Sequence, residues 1–423
     1  MPAIEGFVPQ DVIRCFTAYL DFCYIARASV STRSTLDKLD DALKRFHEFR
    51  QVFQRVGVRD PSSAGFSLPR QHSMTHYRQH IENFGVPNGL CSSITESKHI
   101  TAVKQPWRRS SRYNPIHQIM ETNRRSEKLT AVRAVFTMQG MLEFPTWQPR
   151  VPHPVPSDND EDQSGAAEED AIYNEVFLAQ SPGVFIDRQY PTYNIILTTP
   201  IAPNYPHSLH HLGQKVGHPN LPDLVRKYLV ERKQDATPPT EPPCINVSHA
   251  DHLKVFHSAR AIFCAPSNPS TTTGMCHETI RATPAWNRGE VPGPRYDCIF
   301  VSDGGSNSDG SIMSDLLIAR VLLFFSFSFG DESHHCALIH WFSVFGNRPD
   351  PDNGMWVVTP DLCGGARNLS VIHIDSIFRA AHLLPIFNDS PLPRTFNYTQ
   401  TLDSFQAFYV NKYVDYHAYE TVV

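Results

Sequence analysis

The sequence predicts an α+β chain of several domains, with a mostly helical N-terminal half and a β-rich C-terminal module built like a small barrel. Three observations predict it. Ahead of about residue 140, apolar residues recur at three- and four-residue spacing. Beyond about residue 290 they gather into short β-branched and aromatic runs separated by turns rich in Gly, Asp, Asn and Pro. Between the two lies a proline-rich and then acidic stretch that suits a linker. Four segments follow. Residues 1–142 are helical, 143–190 an acidic, proline-rich linker, 191–290 an irregular middle region with a short helix, and 291–423 a β-rich, barrel-like domain with a helical tail.

In the first segment, Val12, Ile13, Phe16, Leu20 and Cys23 mark one face of a helix over Val12 to Ala28. Leu36, Leu39, Leu43, Phe46 and Phe53 do the same for Leu36 to Val56, with Gly57 as a stop. The opposite face (Asp37, Lys38, Asp40, Asp41, Lys44, Arg45) reads most simply as solvated surface, and the helix pair as an insertion or a dimer surface. Arg70 to Phe84 has Met74, Tyr77, Ile81 and Phe84 as its apolar stripe. His72, His76 and His80 share another face at i, i+4 and i+8, a spacing that suits zinc as well as ordinary packing and hydrogen bonding. No cysteine or carboxylate on that helix completes a ligand set.

The most informative stretch is Ser92 to Arg112, SSITESKHITAVKQPWRRSSR. Ser93 and Glu96 stand three apart ahead of an apolar-periodic run, the signature of a helix N-terminus. Pro106 disfavours a helical Gln105, so this helix should end or bend there. Glu96, His99 and Lys104 then precede a basic cluster around Trp107. Two readings of these residues stay open: a metal ligand beside a phosphate-binding face, or a capping box beside a solvated one. Trp107 suits either stacking on an unpaired base or anchoring its helix. Tyr113 to Met138 continues as a helix with Ile116, Ile119, Met120, Leu129, Val132, Val135 and Phe136 as apolar positions, carrying Arg124, Arg125, Lys128 and Arg133. From Ser92 to Arg133 there are nine Lys/Arg against three Glu. The chain's net charge of −5 therefore conceals a basic front, +8 over residues 1–150, and an acidic remainder of −13. The basic half suits a polyanionic partner, DNA above all.

The run FSLPRQHSMTHYRQHIENFGVPNGLCSSITESKHITAVKQPWRRSSRYN resembles the end of the catalytic domain of Plavaka-type transposases, fungal CACTA-like DNA transposases with an RNase H-like fold. The pattern of that family falls here on His72, His76, Phe84, Gly85, Glu96, His99 and Lys104. The resemblance runs from near residue 3 to the C-terminus and weakens in the middle, at Ser181 to Leu212. It implies that Glu96 matches the last acid of an Asp-Asp-Glu triad that holds Mg²⁺ for strand cleavage and transfer. His99 and Lys104 would then lie near the scissile phosphate. Lys98, Lys104, Arg108, Arg109, Arg112, Arg124 and Arg125 would follow the DNA backbone. The two aspartates should lie upstream on strands, whereas Asp11 and Asp21 fall at and within a predicted helix. The chain thus reads as the C-terminal part of a transposase, a truncated or domesticated remnant. It keeps non-specific DNA binding, lacks a complete site for cleavage, and needs no cofactor of its own. The alternative is a non-enzymatic chromatin or protein-interaction protein acting through its C-terminal module. That module's pattern suits small barrels such as the bromo-adjacent homology domain, by analogy alone.

Five runs predict its strands: Tyr296–Val301, Ile318–Phe329, Cys336–Phe345, Met355–Thr359 and Leu369–Ile374. Ser376 to Leu384 and Phe405 to Tyr419 read as the amphipathic tail. Upstream, Leu221 to Lys233 reads as a short helix. His373, Asp375 and His382 form too local a set for a two-His-one-carboxylate iron site. The loop from Ser302 to Ser311 lacks the Lys-Ser/Thr of a phosphate loop. Nine cysteines without a C-x-x-C pair argue against zinc knuckles and disulfide frameworks. With no signal peptide visible and the longest apolar run broken by Arg320, a soluble intracellular protein, nuclear given its DNA partner, is expected.

Overall fold

Helices fill the N-terminal part of the chain and β-strands its C-terminal region, where one sheet curls into a nearly closed barrel. The structure, a computed structural model, describes residues 2–60, 65–87, 99–138, 141, 193–198, 201–234, 251–265, 267, 275–286, 293–302, 316–330, 332–387 and 396–422. These belong to two units. One comprises Met1–Asn88, Pro191–Asn268 and Met275–Val423, the other Gly89–Tyr190 and Pro269–Gly274. The expected linker, 143–190, lies outside the described residues. Among the described residues no helix is long and apolar enough to cross a membrane.

The first unit begins with α1 (Gln10–Ala26) and α2 (Arg33–Phe49), followed by short helices α3 (Val52–Arg55), α4 (Pro69–Ser73) and α5 (Tyr77–Phe84). Thr32 caps α2 by accepting the Thr35 N–H. The α2 stripe is buried largely as predicted, through Leu36, Leu39 and Phe46. The α1 stripe is buried in part as predicted, through Val12 and Ile13, but Cys15, Ala18, Phe22 and Ile25 are buried as well, while Phe16 is exposed. Small residues at 15 and 18 let α2 approach closely, so packing selects that face over the bulkier one. On α5, Ile81 is buried but Phe84 is exposed, contrary to its place in the predicted stripe.

The barrel is built on β7 (Leu316–Phe329) and β8 (Glu332–Phe345), each 14 residues long. Its remaining strands are β6 (Cys298–Ser302), β9 (Val357–Pro360), β13 (Ile377–Ala381), β14 (Leu383–Pro385) and β15 (Phe408–Val410). Pairing runs β13-β6-β7-β8-β9-β15-β14. β13 and β14 stand at opposite ends of that path, yet only His382 separates them in sequence, so the ribbon returns on itself. Asn411 holds this seam: its N–H donates to the His382 carbonyl (2.8 Å), and its side-chain amide meets His382 Nδ1 (3.0 Å). Phe300, Ile318, Phe342, Val358, Leu383 and Phe408 pack inside. All five predicted runs carry strands. Ser376 to Leu384 does not form the expected helical tail, because it closes the barrel as β13 and β14.

The described residues of the middle region carry strands as well as the short helix expected over Leu221 to Lys233. β1 (Tyr193–Leu197), β3 (Ser258–Cys264), β4 (Met275–Trp286) and β5 (Gly293–Tyr296) form a four-stranded antiparallel sheet. β2 (Asp251–Phe256) precedes β3 by one residue but pairs with β7, so one stretch of chain serves both sheets. Phe263 and Ile280 of the smaller sheet share a core with Ile299, Val321, Phe324 and Ile377 of the larger. Helices α8 (Leu209–Lys215) and α9 (Leu221–Gln234) bury Leu212, Leu221 and Val225 against Phe325, Phe327 and Leu338. β10 (Leu362–Cys363) and β11 (Ala366–Arg367) make a hairpin whose two-residue turn, Gly364-Gly365, has φ of 61° and 83°. β12 (Leu369–His373) adds to β8, and the short helices α10 (Thr401–Ser404) and α11 (Tyr416–Val422) complete the unit.

One buried carboxylate joins the two ends of the chain. Asp21 of α1 accepts hydrogen bonds at Oδ1 from the hydroxyls of Tyr413 (2.8 Å) and Tyr419 (3.2 Å). Lys412 Nζ lies 3.3 Å from the same oxygen, and Arg45 of α2 reaches Oδ2 at 3.3 Å. Burial drives the Lys412 pKa down, with Asp21 opposing it. Gly354, at φ 64°, leaves room for that lysine, since a Cβ there would come within 3.1 Å of Nζ. Arg14 donates to Asp352 (2.8 Å) and Tyr409 to Glu5 (3.0 Å), so the helices are tied to the barrel at several points. Asp21→Ala should therefore cost about 3–5 kcal/mol of stability by leaving Lys412 buried without its counter-charge. Tyr413→Phe should cost about 1 kcal/mol, the worth of one hydrogen bond. Urea titrations followed by circular dichroism measure both.

A second expectation concerns acid. His340 is 2% exposed and accepts from Arg367 Nη1 at Nε2 (3.0 Å). Burial first, then Arg367 and Arg320, push its pKa from the ordinary 6.5 down to about 4. Between these values the unfolded chain binds a proton that the folded chain refuses, so stability is lost as pH falls through that window. The loss amounts to about 3 kcal/mol for this group. Melting temperatures measured from pH 7 to 4 should fall less steeply in His340→Gln than in the wild type.

Candidate nucleic-acid interface

The described part of the second unit is a helical hairpin, and a proline shapes its first arm. Ile100–Lys104 forms a π turn that runs into α6 (Gln105–Arg109). Pro106 has no N–H to give the carbonyl four residues back, that of Ala102, and its ring crowds it. The widened turn relieves the crowding. Asn123 supplies the missing donor, its Nδ2 lying 2.8 Å from the Ala102 oxygen. The helix therefore passes through Gln105 and Pro106 instead of ending there, with the distortion confined to the preceding turn. Asn123 belongs to α7 (Pro115–Met138), so one hydrogen bond ties the two arms together.

The reversal between the arms is stiff. Ser110 Oγ donates to the Trp107 carbonyl at 2.8 Å. Arg112 and Asn114 take left-handed backbone angles, φ 63° and 47°, which cost about 1 kcal/mol or more for a residue with a Cβ. Gln118 offsets that cost from the first turns of α7. Its Oε1 accepts the Ser111 N–H (3.0 Å), and its Nε2 donates to Ser111 Oγ (2.8 Å) and the Tyr113 carbonyl (2.5 Å). Pro115 opens α7 with its φ already suited to a helix.

Of the sequence-predicted site residues, Glu96 and Lys98 lie outside the described residues. His99, Lys104, Arg108, Arg109 and Arg112 are all exposed along the π turn, α6 and the reversal. Among the described residues none of Lys104, Arg108, Arg109 and Arg112 has an ion-pair partner. Arg124 and Arg125 differ: both bind Glu121, at 2.8 and 3.1 Å, and hold its carboxyl below the usual range. Trp107 is 42% exposed, which leaves part of its indole free. The apolar positions Ile116, Met120, Leu129, Val132, Val135 and Phe136 of α7 are exposed as well.

The remaining candidates fall in the first unit. Asp11 binds Arg14 (3.3 Å) and Arg55 (2.6 Å), and Asp21 is the buried node already described, so both carboxylates are committed to cations. Among the described residues no set of three His, Cys, Asp or Glu side chains is placed to hold a metal ion. His373 pairs with Asp375 at 3.1 Å, while His382 sits at the barrel seam. Sequence reasoning missed Gln118 and Asn123, whose roles depend on bonds to backbone atoms that no spacing announces. No family model, curated protein or solved structure matches the chain.

Removing the Asn123 amide should free the Ala102 carbonyl and loosen the first arm. Asn123→Ala is expected to cost about 1 kcal/mol locally, speeding amide exchange in residues 99–110 by roughly fivefold. Exchange in β7 and β8 should not change, and hydrogen-exchange mass spectrometry reads the two regions separately.

Proposed function

We propose that the chain is a transposase-derived protein that binds DNA through the sugar-phosphate backbone, without sequence preference, using the helical hairpin of the second unit. The observation that carries this reading is the group Lys104, Arg108, Arg109 and Arg112: exposed, without acidic partners among the described residues, and borne on a stiffened reversal. Cations not engaged by protein carboxylates release counterions from DNA when they bind, the source of sequence-independent affinity. The resemblance to Plavaka-type transposases supports the same reading, with this region as a remnant of an RNase H-like catalytic domain and Glu96 at the position of its last acid. Mg²⁺ would supply the strand chemistry in an intact site. Here Asp11 and Asp21 are already neutralised by Arg14, Arg55, Lys412 and Arg45, so the proposal is DNA binding in the nucleus without strand cleavage.

Salt dependence tests it. If Lys98, Lys104, Arg108, Arg109 and Arg112 each neutralise a phosphate, log K should fall against log salt with a slope of about −4.5. Binding should then weaken about 500-fold between roughly 50 and 200 mM salt. Arg108→Ala/Arg109→Ala should flatten the slope by nearly two units for every duplex sequence tried. Arg124→Ala/Arg125→Ala should change it by less than one, because Glu121 already engages both. Affinity indifferent to salt, or a double Arg108/Arg109 variant that behaves as wild type, would show the basic face to be plain surface.

A further inference from the structure

The structure places two imidazoles where a metal ion would hold them. His72 lies in α4 and His76 at the end of the following 3₁₀ turn, Met74–His76. Met74 and Ile81 are buried on the opposite side, and His72, His76 and His80 are all exposed. Ser73 Oγ donates to the Arg70 carbonyl and Thr75 Oγ1 to that of His72, tying the backbone that carries the pair. The Nε2 atoms of His72 and His76 are 3.3 Å apart. Two nitrogens each about 2.0–2.1 Å from a zinc ion, at a tetrahedral angle, are separated by about 3.3–3.4 Å. An exposed hydrogen bond between two imidazoles contributes little in water. A shared divalent ion uses both lone pairs at the same separation.

We propose that His72 and His76 form a surface chelate for Zn²⁺, with water in the remaining positions. His80, one turn further on, stacks on His76 with ring centroids 6.1 Å apart. Imidazole suits zinc, copper and nickel among the divalent ions. The neighbouring Arg78 is occupied by Asp37, Asp40 and Glu82, at 2.9, 2.6 and 3.2 Å. Those carboxylates are thereby committed to the arginine, which leaves the histidines as the ligands. The site departs from the expectation that the chain needs no ion of its own, and it is independent of the DNA-binding reading.

Calorimetric titration of the full chain with ZnCl₂ tests the proposal. The wild type should bind one tightest equivalent, and His72→Ala/His76→Ala should weaken it at least tenfold or abolish it. His210→Ala/His211→Ala, which removes two adjacent histidines of α8, should leave it intact. A residue-specific readout that needs no variant is modification by diethylpyrocarbonate followed by mass spectrometry. Zn²⁺ should protect His72 and His76 together. An unchanged isotherm in the His72/His76 variant, or modification of both rings unaffected by Zn²⁺, would overturn the assignment.

Discussion

The fold depends on the pairing of β7 with β8. Each strand has more neighbours than a simple ribbon allows, because each exchanges its outer partner part-way along. β7 pairs with β6 over residues 316–320 and with β2 over 324–328. β8 pairs with β12 over 336–340 and with β9 over 342–345. The change on β7 falls at a bulge, where the register steps from Val321↔Ile339 to Leu323↔Leu338 and leaves Leu322 without an opposite residue. A bulge bends a strand and increases its twist. One half of the hairpin thereby serves the barrel interior, and the other the helix-covered face with α8 and α9. Phe324, Phe325 and Phe327 are all fully buried, so both faces of this half-strand are core, which explains a run of consecutive aromatics where a half-exposed strand would alternate.

Buried charges then decide which segments meet. Arg379, 2% exposed, donates to Asp415 from both terminal nitrogens (2.9 and 2.5 Å) and to Glu278 (3.2 Å), and it lies over the Phe263 ring. Its two carboxylates respond in opposite senses. Burial dominates at Glu278 and raises its pKa; at Asp415 burial is again the largest single influence, but Arg379, the Ala418 N–H and His417 together overcome it and lower the pKa. The bidentate geometry on Asp415 and the added N–H of Ala418 account for the difference. Arg320 makes the parallel arrangement elsewhere, reaching Asp403 at 2.8 Å from the middle of β7. Such pairs add little net stability over apolar packing, but a partner in the wrong place leaves a charge buried alone. Asp21, Arg320 and Arg379 each join segments remote in sequence, so each penalises misassembly more than it rewards folding.

These charges also explain what the sequence concealed. The strands of the hairpin were legible because nearly every position is apolar. β13 was not: its buried positions are Ile377, Arg379 and Ala381, and a buried arginine destroys the alternation that marks a strand. The apolar residues Ile377, Ala381 and Leu384 instead fall at helical spacing. β3 hid for a related reason, since Ala259 and Ala261 fill two of its three buried positions and alanine favours helices. Asp21 looked like an unremarkable acid within a helix. Its tyrosine partners lie 392 and 398 residues away, beyond any local pattern. For the basic hairpin the cations were legible, because charge needs no tertiary partner to be read. The clamps formed by Gln118 and Asn123 were not.

The distribution of apolar side chains on α7 bears on what its surface can do. At about 100° per residue, Leu129, Val132 and Phe136 stand roughly 160–220° around the helix from Ile116. Ile116 and Met120 therefore lie on one side, Leu129, Val132 and Phe136 on the other, and Val135 between them. A helix arranged in this way offers no continuous seam for pairing with a second copy, which would need one stripe along its length. What persists along the arm and the reversal is positive charge: eight Lys/Arg against two Glu between residues 99 and 138. Charge attracts a polyanion only as far as its bearers are held together, and here three local constraints do that. Pro106 sets the π turn, Asn123 braces the carbonyl that Pro106 leaves free, and Gln118 fixes the left-handed Arg112. The described hairpin thus carries Lys104, Arg108, Arg109 and Arg112 on a braced reversal.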